Sequence, residues 1–171
     1  AREAGVSPAT VYRRFMDKQA LLRAACLHLL ELSNQGNQLN LQRKLGQGTL
    51  DSAAREMVGL MFMQHRMQPK LMQAMETFLG ADDDEAFVQE ALAIRDNSLD
   101  QVIQAMLAHR EEITHSDPEQ AVRIATLQAA TSIGILCFKP RSPWRTVQSL
   151  SDEALADELA RAYVAYLKTG D

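Results

Sequence analysis

Aromatic residues make up only 5% of this 171-residue chain, with a single tryptophan, and cysteine is rarer still. Cys26 and Cys137 stand far apart in apolar surroundings, with no Cys-x-x-Cys pair. That excludes a disulfide scaffold and a thiolate metal site, and fits two buried, reduced thiols in a cytoplasmic protein. His28, His65, His109 and His115 share no ligand spacing, so no metal and no other cofactor is assigned. No apolar run approaches the ~18 residues needed to cross a bilayer, and no secretory leader is visible. G-x-S-x-G, His-Glu-x-x-His and the glycine-rich phosphate loop are all missing. An enzyme would need such a set or a nucleophile–base pair, so the chain reads as a non-enzyme. Strand-like alternation, internal repeats and low-complexity tracts are also lacking.

What is present is helix-forming material. Hydrophobic residues make up 46% of the chain, and eight are methionines. A core built from Leu, Ala, Met, Val and Ile favours helices over strands, and the expected fold class is all-α. The net charge of −4, taken whole, argues against a nucleic-acid partner. Its distribution argues otherwise. Within residues 1–25, Arg2, Arg13, Arg14, Lys18 and Arg23 outnumber Glu3 and Asp17, giving +3 there and −7 over the remainder. A basic head on an acidic body is the asymmetry expected when one end meets phosphate.

Local signals divide the chain further. Ala1–Gly5 reads as a helix end closed by Gly5. Ser7 and Pro8 open a short helix reaching Phe15. Asp17 caps the next helix, with Met16 and Leu21 at the spacing of a hydrophobic staple and Leu22, Ala25, Cys26 and Leu29 as its buried stripe. That helix is expected to end near Asn34, where Gln35-Gly36-Asn37 and Gly46-Gln47-Gly48 suggest a frayed end and a loop to Thr49. A helix from about Asp51 contains Met57–Met63, apolar on every side and therefore expected to be buried all round. Pro69 starts a short helix ending before Gly80. Asp82-Asp83-Asp84-Glu85 opens a long one, about 40 Å at ~1.5 Å per residue, striped by Val88, Leu92, Leu99, Val102, Ile103 and Met106. The acidic run suits the positive end of a helix dipole and lacks the ligand spacing of a calcium loop. Asp117-Pro118-Glu119-Gln120 starts a helix running to about Phe138. Pro140–Trp144 forms a loop, and Ser151-Asp152-Glu153 caps a last helix ending near Thr169. Two domains are expected: 1–33, a helix-turn-helix with its connecting helix, and 34–171, a helical body.

The residues of the first unit carry chemistry. Ser7 and Thr10 bring hydroxyls to the front of the short helix, and Tyr12 offers a phenol to a phosphate oxygen. Arg13 and Arg14 offer forked donors to phosphate or a guanine edge. Lys18 adds a cation beside free backbone N–H groups at the start of the following helix. Ala4-Gly5-Val6-Ser7, Tyr12-Arg13-Arg14-Phe15 and Lys18 together resemble the signature of the tetracycline-repressor (TetR) family across residues 4–25. The resemblance implies that Tyr12 and Lys18 bind phosphates, that Thr10 and Arg13 lie near bases, and that Val6, Val11 and Phe15 are core. It also implies one more helix ahead of Ala1, so residues 1–33 are expected to be part of a DNA-binding domain.

A lone recognition helix reads too few base pairs, and pairing two across a palindromic operator supplies the rest. The resemblance implies a homodimer through the last two helices, with Ile124, Gln128, Ile135, Leu155, Leu159, Tyr163 and Tyr166 as candidate interface residues. Ala125, Ala129 and Ser132 are small enough for close approach. The helices between would enclose an effector, with Met61, His65, Met75, Phe78, Asn97 and Gln128 as candidate lining and Met67 and Met72 nearby. A compact, mainly apolar molecule suits such a lining. The expected function is a transcriptional repressor released from its operator by that effector. The alternative is a helical, dimeric ligand-binding or interaction module that does not bind DNA.

Overall fold

The computed structural model describes residues 7–138 and 150–169, which form seven α-helices and one 3-10 turn, with no strand among them. The helices are α1 (Pro8–Arg14), α2 (Lys18–Leu45), α3 (Leu50–Met67), α4 (Pro69–Ala81), α5 (Glu85–Leu107), α6 (Pro118–Phe138) and α7 (Asp152–Leu167). The expectations for Ala1–Val6 and Pro140–Trp144 lie outside the described residues.

Side-chain caps set most helix starts. Asp17 accepts from the Ala20 amide at 2.7 Å, Asp117 from Gln120 at 3.1 Å and Ser151 from Ala154 at 3.1 Å. Each satisfies an amide that the first helical turn leaves unpaired. At α3 the cap is Thr49, reciprocated by Ser52, two residues ahead of the expected Asp51. Gly48, with φ +85°, makes the left-handed turn just before it.

Four expectations give way. First, α2 does not end near Asn34 but continues through Gly36 to Leu45, so the expected domain boundary falls inside a helix. One glycine costs a helix only about 1 kcal/mol. Leu41 and Leu45, four apart, more than offset it by burying in the main core. Second, the buried side of α2 is Cys26, Leu27 and Leu30, while Leu22 and Ala25 face solvent. Met16 is 97% exposed, so it staples nothing. Third, Met57–Met63 is not enclosed all round. Met57, Val58 and Phe62 are buried, and Met63 is 50% exposed. Fourth, Gly80 lies within α4, and α5 is 23 residues long and stops at Leu107 before a 3-10 turn at Arg110–Glu112. Its buried side uses Phe87 and Ala91, whereas Leu92 and Leu99 are exposed.

Helix α3 packs on α2, α5, α6, α7 and α4, α7 lies against both α3 and α6, and α2 lies along α5. Two apolar clusters result. The main one joins Leu41 and Leu45 to α3, the second half of α5, α6 and α7. A smaller one holds Cys26, Phe87 and Ala91, flanked by Met75, Phe78 and Leu79 of α4. The small cluster lies along the first half of α2, on the α1 side of the molecule. The buried imidazole of His109 hydrogen-bonds the Leu45 carbonyl through Nε2, and Glu112 accepts from the Leu50 amide at 2.9 Å. Those two contacts tie the end of α2 and the start of α3 to the end of α5.

Candidate nucleic-acid interface

The short helix α1 is fixed by its own hydroxyls. Ser7 Oγ accepts from the Thr10 amide at 3.2 Å and lies 2.9 Å from Thr10 Oγ1. Arg13 donates from Nε to the Ala9 carbonyl at 3.5 Å. Ser7, Thr10, Arg13, Arg14 and Lys18 are all exposed, and none of these three cations makes an ion pair with a carboxylate among the described residues. The backbone of Tyr12 lies mid-helix, but its side chain, like that of Val11, is outside the described residues. Phe15 is half-buried, as an anchor for α1 would be. Arg13 and Arg14 both fall in the last turn of α1, so their charges also complement the negative end of its dipole.

Only three residues separate α1 from α2. Six residues into α2, Arg23 meets the α4–α5 corner. Its Nε lies 3.0 Å from both Asp82 oxygens, and Nη1 donates to Asp84 Oδ2 at 2.7 Å. The Asp82 side chain has 0% exposure. Its carboxyl is held below its ordinary range chiefly by the Arg23 hydrogen bonds and further by the Asp84 amide, against the opposing effect of burial.

The candidate effector residues do not converge. Met61 lines a cleft of about 160 Å³ between α2, α3 and α5, together with Met57, Gln64 and Ser98. Asn97 lines a larger cleft of about 470 Å³ on the other side of Leu41, with Asp100, Gln101 and Gln104. His65 turns back to the Met61 carbonyl at 2.8 Å. Met75 and Phe78 pack in the small cluster, and Gln128 points outward from α6. In the polar stretch Arg95–Ser98, Arg95 and Ser98 are partnered within the fold. Arg95 pairs with Glu76, while Asn34 Oδ1 accepts from Ser98 at 2.9 Å and from Gln101 at 3.0 Å. The other Gln101 amide atom, Oε1, is buried without a partner among the described residues.

The candidate dimer residues divide. Leu155 and Tyr163 are buried in the chain's own core, where Tyr163 and Thr126 hydroxyls meet at 3.1 Å. Burial pushes the Tyr163 phenol up to about 12, with the Thr126 hydrogen bond opposing. Ala125 and Ala129 are buried there too. Ile124, Ile135, Leu159 and Tyr166 remain half-buried and Gln128 exposed. The sequence reading missed Leu127, which is 65% exposed beside them. One signal was available: at 100° per residue, Leu127 falls on the face opposite Ala125 and Ala129, among Ile124 and Thr131.

Among the described residues no helix is long and apolar enough to cross a membrane. No curated protein and no solved structure matches the chain. Residues 1–25 match the family model of the bacterial regulatory proteins, tetR family. This is a family of DNA-binding transcriptional regulators, not of enzymes, and the match spans α1 and the first turns of α2. Over residues 1–25 the chain is thus similar to the bacterial regulatory proteins of the tetR family.

Proposed function

We propose that this protein is a dimeric repressor that reads a palindromic operator through α1 and releases it when a small molecule binds the helical body. The observation that carries the DNA half is the cationic face of α1 and α2: Arg13, Arg14 and Lys18, without an ion pair among the described residues and exposed beside the Ser7 and Thr10 hydroxyls. In this reading Lys18 and Tyr12 hold phosphates and fix register, while Thr10 and Arg13 meet base edges. The chain is acidic overall, so binding depends on that local charge and falls steeply with salt.

The half-exposed stripe of α6 and α7 supports the dimer. Ile124, Leu127, Ile135, Leu159 and Tyr166 form its apolar centre, and Leu155 and Tyr163 back it from within. The larger cleft supports an effector site. Its volume is in the range of small-molecule pockets, ~300–1,000 Å³. Its amide-rich rim and the unpartnered Gln101 oxygen favour an effector that carries a hydrogen-bond donor along with its apolar part. The protein is expected to act in the cytoplasm, where its operator is.

Selection from a random duplex pool by the natural full-length protein tests this reading. Enrichment of a two-fold symmetric site, with half-sites about one helical turn apart or a multiple of it, is expected. Recovery of no preferred sequence contradicts it and favours a helical binding module that leaves DNA alone.

A further inference from the structure

Helix α2 is held to the body at separate points along its length. Its end is fixed by Leu41 and Leu45 in the main core and by His109 on the Leu45 carbonyl. Its middle is held by Asn34 on Ser98 and Gln101. Its beginning is held by Arg23, whose guanidinium hydrogen-bonds two carboxylates 59 and 61 residues away and lies 3.7 Å from a third, the exposed Asp83. All three belong to the corner that joins α4 to α5. Asp84 divides its oxygens between two tasks: Oδ1 caps α5 at the Phe87 amide, 3.1 Å away, and Oδ2 accepts from Arg23. Asp82 is wholly enclosed by the contact, with Nη2 of Arg23 at 2.6 Å and the Asp84 amide at 3.0 Å. Beneath the clamp the Arg23 guanidinium lies 6.0 Å from the Phe87 ring centre, above the small apolar cluster.

We propose that Arg23, clamped on Asp82 and Asp84, is the positioning residue that sets the attitude of the recognition helix relative to the body. Only Phe15–Leu22 separate it from α1, so a tilt of the α4–α5 corner reaches α1 through less than two turns of helix. A planar fork held on two carboxylates resists rotation in a way that a single ammonium contact does not. Arg23 is itself a cation near the DNA-reading end, and a direct phosphate contact would be the competing role. The geometry argues against that role, because its donors are already directed at carboxylates. The inference rests on the DNA reading above for its consequence, but not for the clamp itself.

Two measurements on the natural full-length protein, wild type, Arg23→Gln and Arg23→Lys, separate these roles. Amide hydrogen exchange reads the clamp. In Arg23→Gln, exchange over residues 18–30 is expected to rise about tenfold while residues 41–67 stay as in wild type, with Arg23→Lys between the two. Affinity for a duplex that the wild type selects from a random pool, set against a duplex of unrelated sequence, reads the consequence. Arg23→Gln is expected to weaken the selected duplex about tenfold and the unrelated one less than about twofold, because position is lost while phosphate contacts remain. Equal weakening of both duplexes would make Arg23 a phosphate contact and overturn the proposal. So would unchanged exchange over residues 18–30, or a rise across the whole chain. If Arg23→Gln fails to fold with Asp82 left enclosed and unpaired, the Arg23→Met/Asp82→Leu double variant removes both charges and is read by the same criteria. A wild type that selects no duplex would sink the DNA reading alone, and the exchange result would still decide the clamp.

Discussion

The main core and the small cluster near α1 are built by different means. The main core draws on α2, α3, α5, α6 and α7, and Leu45, Leu50, Ile103, Met106 and Ile133 within it are fully enclosed. The small cluster has only Cys26, Phe87 and Ala91 buried, and its rim of partly buried side chains such as Met75, Phe78 and Val88 is closed on one side by an ion clamp. Helix α4, which flanks that cluster, contains no buried residue. Apolar burial is non-directional, so it makes the main core robust without fixing one precise attitude. Charged forks are directional and sensitive to pH and salt. The contrast teaches that the two ends are held differently: the α1 end by a few oriented contacts, and the α6–α7 end by continuous packing.

The comparison breaks first under a large cavity. Ile103→Ala is expected to cost about 2–5 kcal/mol and to lower the unfolding midpoint of the whole chain. Val88→Ala, in the half-buried fringe of the small cluster, is expected to cost about 1 kcal/mol and to raise exchange mainly over residues 18–30. Equal and global effects from both would show one core, not two. Next in size is the outer stripe of α6. Leu127→Glu places like charges against each other across a two-fold axis, and the solution mass is expected to fall from dimer to monomer. A mass unchanged at micromolar protein would contradict the proposed interface.

Smaller effects come from titration and separate the two regions by sign. The Asp82 carboxyl is held low in the folded chain, so its contribution is full above the ordinary aspartate range, ~3.9. It is lost as pH falls through the lowered folded value. Residues 18–30 are therefore expected to lose protection in acid before residues 41–67, and Asp82→Asn to remove that difference. The Tyr163 phenol is shifted the other way, to about 12. Its contribution is full below the ordinary phenol range, ~10, and is lost as pH rises through the folded value, because the unfolded chain releases its proton first. Tyr163→Phe is expected to cost about 1 kcal/mol at neutral pH and to flatten the alkaline loss of stability. Parallel alkaline profiles for the two proteins would contradict this.

Local chemistry in the sequence was readable and long-range pairing was not. The caps at Asp17, Asp117 and Ser151 act within three residues, so their reading needed no tertiary information. The end of α2 was misplaced because Gln35–Asn40 looks like a polar loop. Its helicity depends on Leu41, Leu45 and Asn34 finding partners on other helices. The run Asp82–Glu85 was correctly read as a helix start, but its pairing with Arg23 spans 59 residues and leaves no periodic trace. In α7 an apolar stripe has two sides: Leu155 and Tyr163 face inward, and Leu159 and Tyr166 lie nearer the edge. Spacing alone did not say which side met the chain's own core. The scattering of Met61, Met75 and Phe78 over separate clusters has the same cause, since each fits a helical stripe and only packing decides its neighbours.

The most direct test of the central claim, that α1 reads base edges, is the affinity of Arg13→Ala for the wild-type-selected duplex and for unrelated DNA at one fixed salt concentration. The account predicts that the selected duplex loses about 1–3 kcal/mol of binding and much of its preference over unrelated DNA. An affinity for the selected duplex equal to that of wild type would contradict it.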